Sequence, residues 1–249
     1  MNKYGLIGYP LSHSFSEQYF TQKFGQEGIS DASYELFPLT SIDDLPALLR
    51  SQPDLVGLNV TIPYKQQVIP LLDRLDPVAE RIGAVNTIKI NPASLEQVGY
   101  NSDYYGFQQS LQTWVGERSI SRALVLGTGG ASRAVVCALQ DLGIDYRYVS
   151  RRSSEEAISY EQLRTERALA DFPLIINTTP LGMSPQVDTA PDLDYQQLSS
   201  EHFCYDLVYN PEETLFMRRS RAQGAGARTK NGLEMLHLQA EKSWEIWNG

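Results

Sequence analysis

Residues 123–134 read ALVLGTGGASRA, and the fold turns on this stretch. The apolar run Leu124, Val125, Leu126 enters a glycine-rich turn, and residues 131–142 follow with a helical pattern. Strand, glycine turn and helix in that order begin a βαβ dinucleotide-binding unit. Gly127, Gly129, Gly130 and the small Ala131 keep side chains out of the way. Backbone N–H groups can then approach a pyrophosphate at a helix N-terminus. Ser132 stands where the fingerprint has its third glycine, so a tight strand-to-helix turn that binds nothing also suits the stretch.

Downstream, the second strand of this unit ends at Val149, and Ser150, Arg151 and Arg152 come next. NAD-binding units place a carboxylate there, about 20 residues after the first glycine, for the ribose 2′-hydroxyl. Two guanidiniums in its place attract a 2′-phosphate and favour NADP(H), although two solvated loop arginines are the plainer alternative. Residues 174–177 read as a strand running into the loop with Thr178, and 183–193 as an irregular loop. Then come a strand at 203–208, a helix at 213–222 closed by Gly224, a basic turn at 225–230 and a long helix at 232–247.

Upstream, strand patterns at 4–8, 34–39, 55–61, 84–90 and 98–100 alternate with helical ones ending at Gly28 and Gly83 and spanning 42–49, 64–72 and 106–115. Ser41 suits the N-cap of the 42–49 helix. The alternation implies an α/β chain with mostly parallel, covered sheets. A strand delivers Asn59 and Thr61 to its carboxyl end, where such sheets place ligands. Pro63 ends the strand and Lys65 opens a helix; the positive end of a helix dipole, with partial desolvation, pushes a lysine pKa down and suits it to proton transfer. On spacing alone, a solvated lysine on a helix face is the alternative. Asp103 sits two residues beyond Asn101 at another strand end, placed either to pair with a lysine or to cap the helix that follows. Ser14 and Ser16, two apart on an extended loop, can donate side by side to a carboxylate or simply belong to a hydroxyl-rich turn.

The totals narrow the field. With 249 residues there is room for one large domain or two small ones, and 42% hydrophobic with 20% charged residues is ordinary for a globular protein. A net charge of −9 argues against a nucleic-acid partner but not against a small anion held by local cations. No stretch approaches the roughly 20 apolar residues of a membrane span, and the N-terminal apolar run is too short for a signal peptide. Cys137 and Cys204 fall in a helical and a strand pattern, as isolated buried thiols of a reducing compartment do, which points to the cytoplasm. His13, His202 and His237 are scattered, without the spacing of a metal site.

The blocks GYPLSHSFS at 8–16, NVTIPYK at 59–65, GAVNT at 83–87, GYNSD at 99–103, GTGGASRA at 127–134, NTTPLGM at 177–183, DLVYNP at 206–211 and NGLEMLHLQA at 231–240 occur in one order. With them the chain resembles the shikimate dehydrogenase family along nearly its whole length. The resemblance implies two α/β domains with a cleft between them: a substrate domain from residues 1–103 and 232–249, and a Rossmann NADP-binding domain from 104–231. It implies NADP(H)-dependent interconversion of 3-dehydroshikimate and shikimate, a small-molecule substrate, no metal, and a monomer or homodimer. Carried over by position, Lys65 and Asp103 form the catalytic pair. Ser14 and Ser16 hold the substrate carboxylate, with Thr61, Asn86, Tyr209 and Gln239 as further substrate contacts. Gly127, Gly129, Gly130 and Ala131 cradle the pyrophosphate, Ser150, Arg151 and Arg152 face the adenosine phosphate, and Thr178, Met183 and Gly232 complete the cofactor side. Where the family commonly has Pro after the second serine this chain has Glu17, and its Ser-Arg-Arg replaces the usual Asn-Arg-Thr. Quinate as substrate, with NAD, and a catalytically silent NADP- or shikimate-binding sensor are the alternatives.

Overall fold

The computed structural model describes residues 1–11, 14–223 and 226–249. His13 and Gly224, with Ala225 of the expected basic turn, lie outside the described residues. The chain divides into two compact units, one of Met1–Tyr105 with Gln239–Gly249 and one of Gly106–Leu238.

The first unit opens with β1 (Asn2–Gly8), α1 (Phe15–Glu27), β2 (Ala32–Pro38), α2 (Leu45–Ser51) and β3 (Leu55–Val60). It continues through β4 (Arg74–Leu75), α3 (Pro77–Ile82), β5 (Thr87–Ile90), β6 (Gln97–Tyr100) and the start of α4 (Ser102–Val115). The six strands lie in the order β2-β1-β3-β5-β6-β4. β5 runs antiparallel to both neighbours, and the remaining pairs are parallel. Alternation along β1 sorts the core. Tyr4 and Leu6 meet Phe20 and Phe24 of α1, together with Ala240 and Trp247, while Ile7 joins Leu45, Val60 and Ile88 in a second cluster.

Three local expectations change. Ser14 is the N-cap of α1, its hydroxyl facing the Glu17 N–H at 3.4 Å, and Ser16 lies inside the helix rather than on an extended loop. Ser41 caps only a 3-10 turn at Ile42–Asp44, and α2 begins after it with Pro46 in its first turn. No helix opens at Lys65. Residues 62–68 form turns that end in a 3-10 turn at Ile69–Leu71. The Lys65 carbonyl, which a helix would give to residue 69, accepts instead from the Val85 N–H at 2.7 Å, and Pro70 has no N–H to continue a helical ladder.

The second unit is built from β7 (Arg122–Leu126), α5 (Gly130–Asp141), β8 (Asp145–Ser150), β9 (Ala157–Ser159), α6 (Tyr160–Thr165), β10 (Leu174–Asn177), β11 (Phe203–Asp206), α7 (Leu215–Gln223) and β12 (Arg228–Lys230). α8 (Leu233–Asn248) begins here and ends in the first unit. The strand order is β12-β11-β10-β7-β8-β9, and every pairing is parallel. The strands β7, β10 and β11 are near-continuous buried runs, as in sheets covered on both faces: Leu124, Leu126, Ile175 and Cys204 share one cluster with Phe216. The expected basic turn before Lys230 is in part the edge strand β12, paired with Phe203–Tyr205. Cys137 and Cys204 are both buried, and burial pushes the Cys204 thiol up to about 12. Among the described residues, no helix is long and apolar enough to cross a membrane.

The seat of Trp247 gives a test of the first unit. Its indole N–H donates to the Ile88 carbonyl at 3.0 Å, and a Cβ at Gly57 would come 2.5 Å from the ring. Gly57→Ala should destabilise the protein by about 1–3 kcal/mol through overpacking. Urea unfolding checks this; parent-like stability would mean that the indole does not fill that space.

Candidate active site

Lys65 and Asp103 stand 38 residues apart in sequence, yet Lys65 Nζ lies 2.6 Å from Asp103 Oδ2. Their side chains are 22% and 14% exposed. The capping role open to Asp103 falls to its neighbour. Asn101 Oδ1 accepts from the Tyr104 N–H at 3.1 Å, which frees the Asp103 carboxylate in the first turn of α4 for the lysine. One short segment steadies both partners. Ala84 O takes the Asn101 amide at 2.9 Å, and Asn86 Oδ1 takes the Ser102 N–H at 2.6 Å. Between them lies Val85, whose N–H holds the Lys65 carbonyl at 2.7 Å. An ammonium paired with a carboxylate in a charge-assisted hydrogen bond is a fixed donor that can stabilise negative charge on an oxygen placed beside it and pass it a proton.

Behind this pair lies a buried polar network. Ser243 Oγ meets Asn59 Nδ2 at 2.9 Å, Thr87 Oγ1 at 2.9 Å and Ser102 Oγ at 3.1 Å. Thr87, Ser102 and Ser243 are fully buried. Tyr34 donates to Asn59 Oδ1 at 2.8 Å, and Ser16 is hydrogen-bonded to the same tyrosine. Burial raises the Tyr34 hydroxyl pKa well above its ordinary range, which keeps it a donor. Gln239 accepts from Ser102 at 3.4 Å and from Ser243 at 3.0 Å, the second bond going to its backbone carbonyl. Ser16, Asn86 and Gln239, all expected substrate contacts, are thus tied into one network, whereas Tyr209 belongs to the second unit. Ser14 is buried, and Thr61 follows β3 with its N–H on the Ile7 carbonyl at 2.9 Å. Ser102 and Ser243, the nodes of the network, carry no signal in the sequence pattern, because small polar residues on helices are ordinary.

In the second unit, the glycine turn joins β7 to α5. Gly127 has φ +103°, and a Cβ there would lie 2.9 Å from Thr179 Cγ2 and 3.0 Å from Thr178 Oγ1. Thr178 itself donates to the Leu126 carbonyl at 2.7 Å. Gly129 and Gly130 face open space, and α5 begins without a side-chain cap. Neither strain nor packing demands glycine at 129 and 130. The open cradle and the uncapped N–H groups at the carboxyl end of a parallel sheet fit a pyrophosphate. β8 runs parallel to β7 with Val149 beside Leu126, so the arginine loop leaves the sheet at the same end as the glycine turn. Ser150 donates to the Arg152 carbonyl and shapes that loop, and Arg151 and Arg152 are exposed.

Met183 is 46% and Tyr209 38% exposed, and Gly232 is buried with its N–H on the Val208 carbonyl at 3.2 Å. A residue without a role in the sequence reading stands out here: Asp206 is fully buried, and burial pushes its carboxyl up to about 6. Among the described residues, no cluster of three or more His, Cys, Asp or Glu side chains can hold a metal ion.

Known proteins resemble this chain over nearly its whole length. Residues 6–88 match the shikimate dehydrogenase substrate binding domain. The shikimate dehydrogenase (NADP(+)) of Desulforamulus reducens is 36% identical over 98% of this chain and 89% of its own length. The shikimate 5-dehydrogenase of Thermus thermophilus, solved in complex with NADP(H) and shikimate, is 30% identical with a TM-score of 0.86, covering 100% of this chain and 94% of that one. The quinate dehydrogenase of Corynebacterium glutamicum, solved in complex with NAD, is 27% identical with the same TM-score of 0.86, also over 100% and 94%.

The two kinds of glycine in the turn should behave differently. Gly127→Ala forces a Cβ into a left-handed backbone and should destabilise the fold by about 1–2 kcal/mol. Gly129→Ala should melt with the parent and yet lose NADP⁺ affinity. Thermal unfolding and a fluorescence titration measure the pair; undiminished NADP⁺ binding by Gly129→Ala would remove the open cradle from the cofactor site.

Proposed function

The chain belongs to the shikimate dehydrogenase family, and we propose the following roles for its residues in that family's reaction. The reaction is the reversible, NADPH-dependent reduction of 3-dehydroshikimate to shikimate, a step toward the aromatic amino acids. Bound NADP(H) supplies the hydride in one direction and accepts it in the other.

The 2.6 Å pair of Lys65 and Asp103 carries the assignment. During reduction, negative charge builds on the substrate's C3 carbonyl oxygen. Lys65, as the ammonium, stabilises that charge and donates the proton, and in the reverse direction the neutral amine takes it back. Asp103 keeps Lys65 oriented and accepts a hydrogen bond from the neighbouring ring hydroxyl. General acid catalysis of this kind is worth on the order of 10²–10⁴ in rate.

Ser14 and Ser16 hold the substrate carboxylate, and Thr61, Asn86, Gln239 and Tyr209 contact the ring hydroxyls or that carboxylate. Gly127, Gly129, Gly130 and Ala131 cradle the pyrophosphate. Ser150, Arg151 and Arg152 face the 2′-phosphate, which two guanidiniums suit better than a bare ribose. Thr178, Met183 and Gly232 lie on the nicotinamide side. The two buried cysteines suit the cytoplasm, and the enzyme works there as a monomer or homodimer.

Lys65→Ala should lose on the order of 10²–10⁴ in turnover while shikimate affinity changes little. Nicotinamide absorbance with shikimate or quinate against NADP⁺ or NAD⁺ reads both the chemistry and the preference. Shikimate with NADP⁺ should be the best of the four combinations; a Lys65→Ala enzyme with near-parental turnover would defeat the catalytic assignment.

A further inference from the structure

At the carboxyl ends of the adjacent strands β10 and β11, Asn177 and Asp206 lie side by side, both fully buried. Asp206 Oδ1 accepts from Asn177 Nδ2 at 2.9 Å and from the Val208 N–H at 3.0 Å, and Oδ2 accepts from Thr214 Oγ1 at 2.6 Å. Among the described residues, the groups that hydrogen-bond to this carboxylate are these three, none of them a cation. A carboxylate kept in the interior without an opposite charge is expensive, and its raised pKa reports that cost.

Its three donors anchor two loops. Asn177 begins the loop that carries Thr178 and Met183: its Oδ1 accepts from Thr179 Oγ1 at 2.6 Å and from the Thr179 N–H at 3.1 Å. Val208 begins, and Thr214 ends, the loop that carries Tyr209. The loops are joined directly where the Ser184 N–H donates to the Asn210 carbonyl at 3.0 Å. Gly232 hangs on the second loop through the Val208 carbonyl at 3.2 Å, and a Cβ at that glycine would run into the Leu207 carbonyl.

We propose that Asp206, clamped by Asn177 and Thr214, is a positioning residue that sets the nicotinamide half of the cofactor site by fixing both loops at once. It touches no reacting atom; it acts through Met183, Gly232 and Tyr209. This rests on the reading of those residues as the nicotinamide side. Asp206→Asn keeps an acceptor for Asn177 and Val208 but replaces the short bond that Thr214 donates to a carboxylate with a weaker neutral one that the amide donates to the hydroxyl.

The test compares two ligands. NADP⁺ spans the whole site, whereas 2′,5′-ADP carries only the half assigned to the glycine turn, Arg151 and Arg152. Both are titrated by fluorescence into the parent, Asp206→Asn, Thr214→Val and Thr214→Ser, with thermal unfolding of each. The clamp predicts that Asp206→Asn and Thr214→Val bind NADP⁺ about tenfold more weakly and that Thr214→Ser, which keeps the hydroxyl, binds it as the parent does. Affinity for 2′,5′-ADP should hold throughout. Unchanged NADP⁺ affinity overturns the clamp, and so does an equal loss for both ligands, the mark of a general structural role. If Asp206→Asn does not fold, the Thr214 pair decides. A parent that binds neither ligand refutes the cofactor reading itself, not the clamp.

Discussion

The backbone of Ala84–Asn86 is the constraint on which the Lys65–Asp103 pair depends. A lysine side chain has much rotamer freedom to lose, and a surface pair between flexible partners is worth little. Here the freedom is removed beneath the side chains. The segment holds the Lys65 carbonyl, the Asn101 amide and the Ser102 N–H, so neither partner can shift without breaking a buried hydrogen bond. It is itself stitched into the sheet: the Asn86 N–H donates to the Tyr100 carbonyl at 3.0 Å, and its own carbonyl accepts from the Val60 N–H at 2.9 Å. The pair is therefore set by sheet registration as much as by the attraction between its charges.

The two units solve different problems with similar parts. The first buries hydroxyls and amides at its centre and satisfies them against one another, with Ser243 as a node. Such networks specify one arrangement, because any alternative leaves a buried polar group unpaired. The second keeps β7, β10 and β11 largely apolar and collects polar groups such as Asn177 and Asp206 at their carboxyl ends. A buried polar network needs directional partners nearby; a glycine turn leaves its backbone open. Glycine serves each differently: Gly57 makes room for an indole, whereas Gly129 and Gly130 leave space empty.

What the sequence disclosed was local chemistry. The glycine turn at 127–130, the strand end at Asn177 and the helix that stops at Gly83 depend on neighbours within a few residues, and they lie where the pattern puts them. Lys65 shows the limit. Residues 64–72 have an amphipathic pattern, but the bond that decides their conformation comes from Val85, twenty residues on, and no periodicity reveals it. β12 failed for a related reason: Arg228, Thr229 and Lys230 have no apolar rhythm, and only the open edge of β11 makes a strand of them. Asp206 was visible as a residue but not as a buried one, since its burial comes from loops that fold over it.

The seating of Trp247 against Gly57 also sets an order of events during synthesis. Residues 1–105 leave the ribosome first, with Tyr4, Leu6, Phe20 and Phe24 already translated, but Ala240 and Trp247 of the same cluster come only after the whole second unit has been made. Until then that face of the first sheet, with only α1 packed against it, lacks part of its cover, and such apolar surface is what chaperones and aggregation compete for. The Rossmann unit holds most of its core residues within one continuous span and can condense as it emerges. On this chain the unit translated second is the one able to finish first.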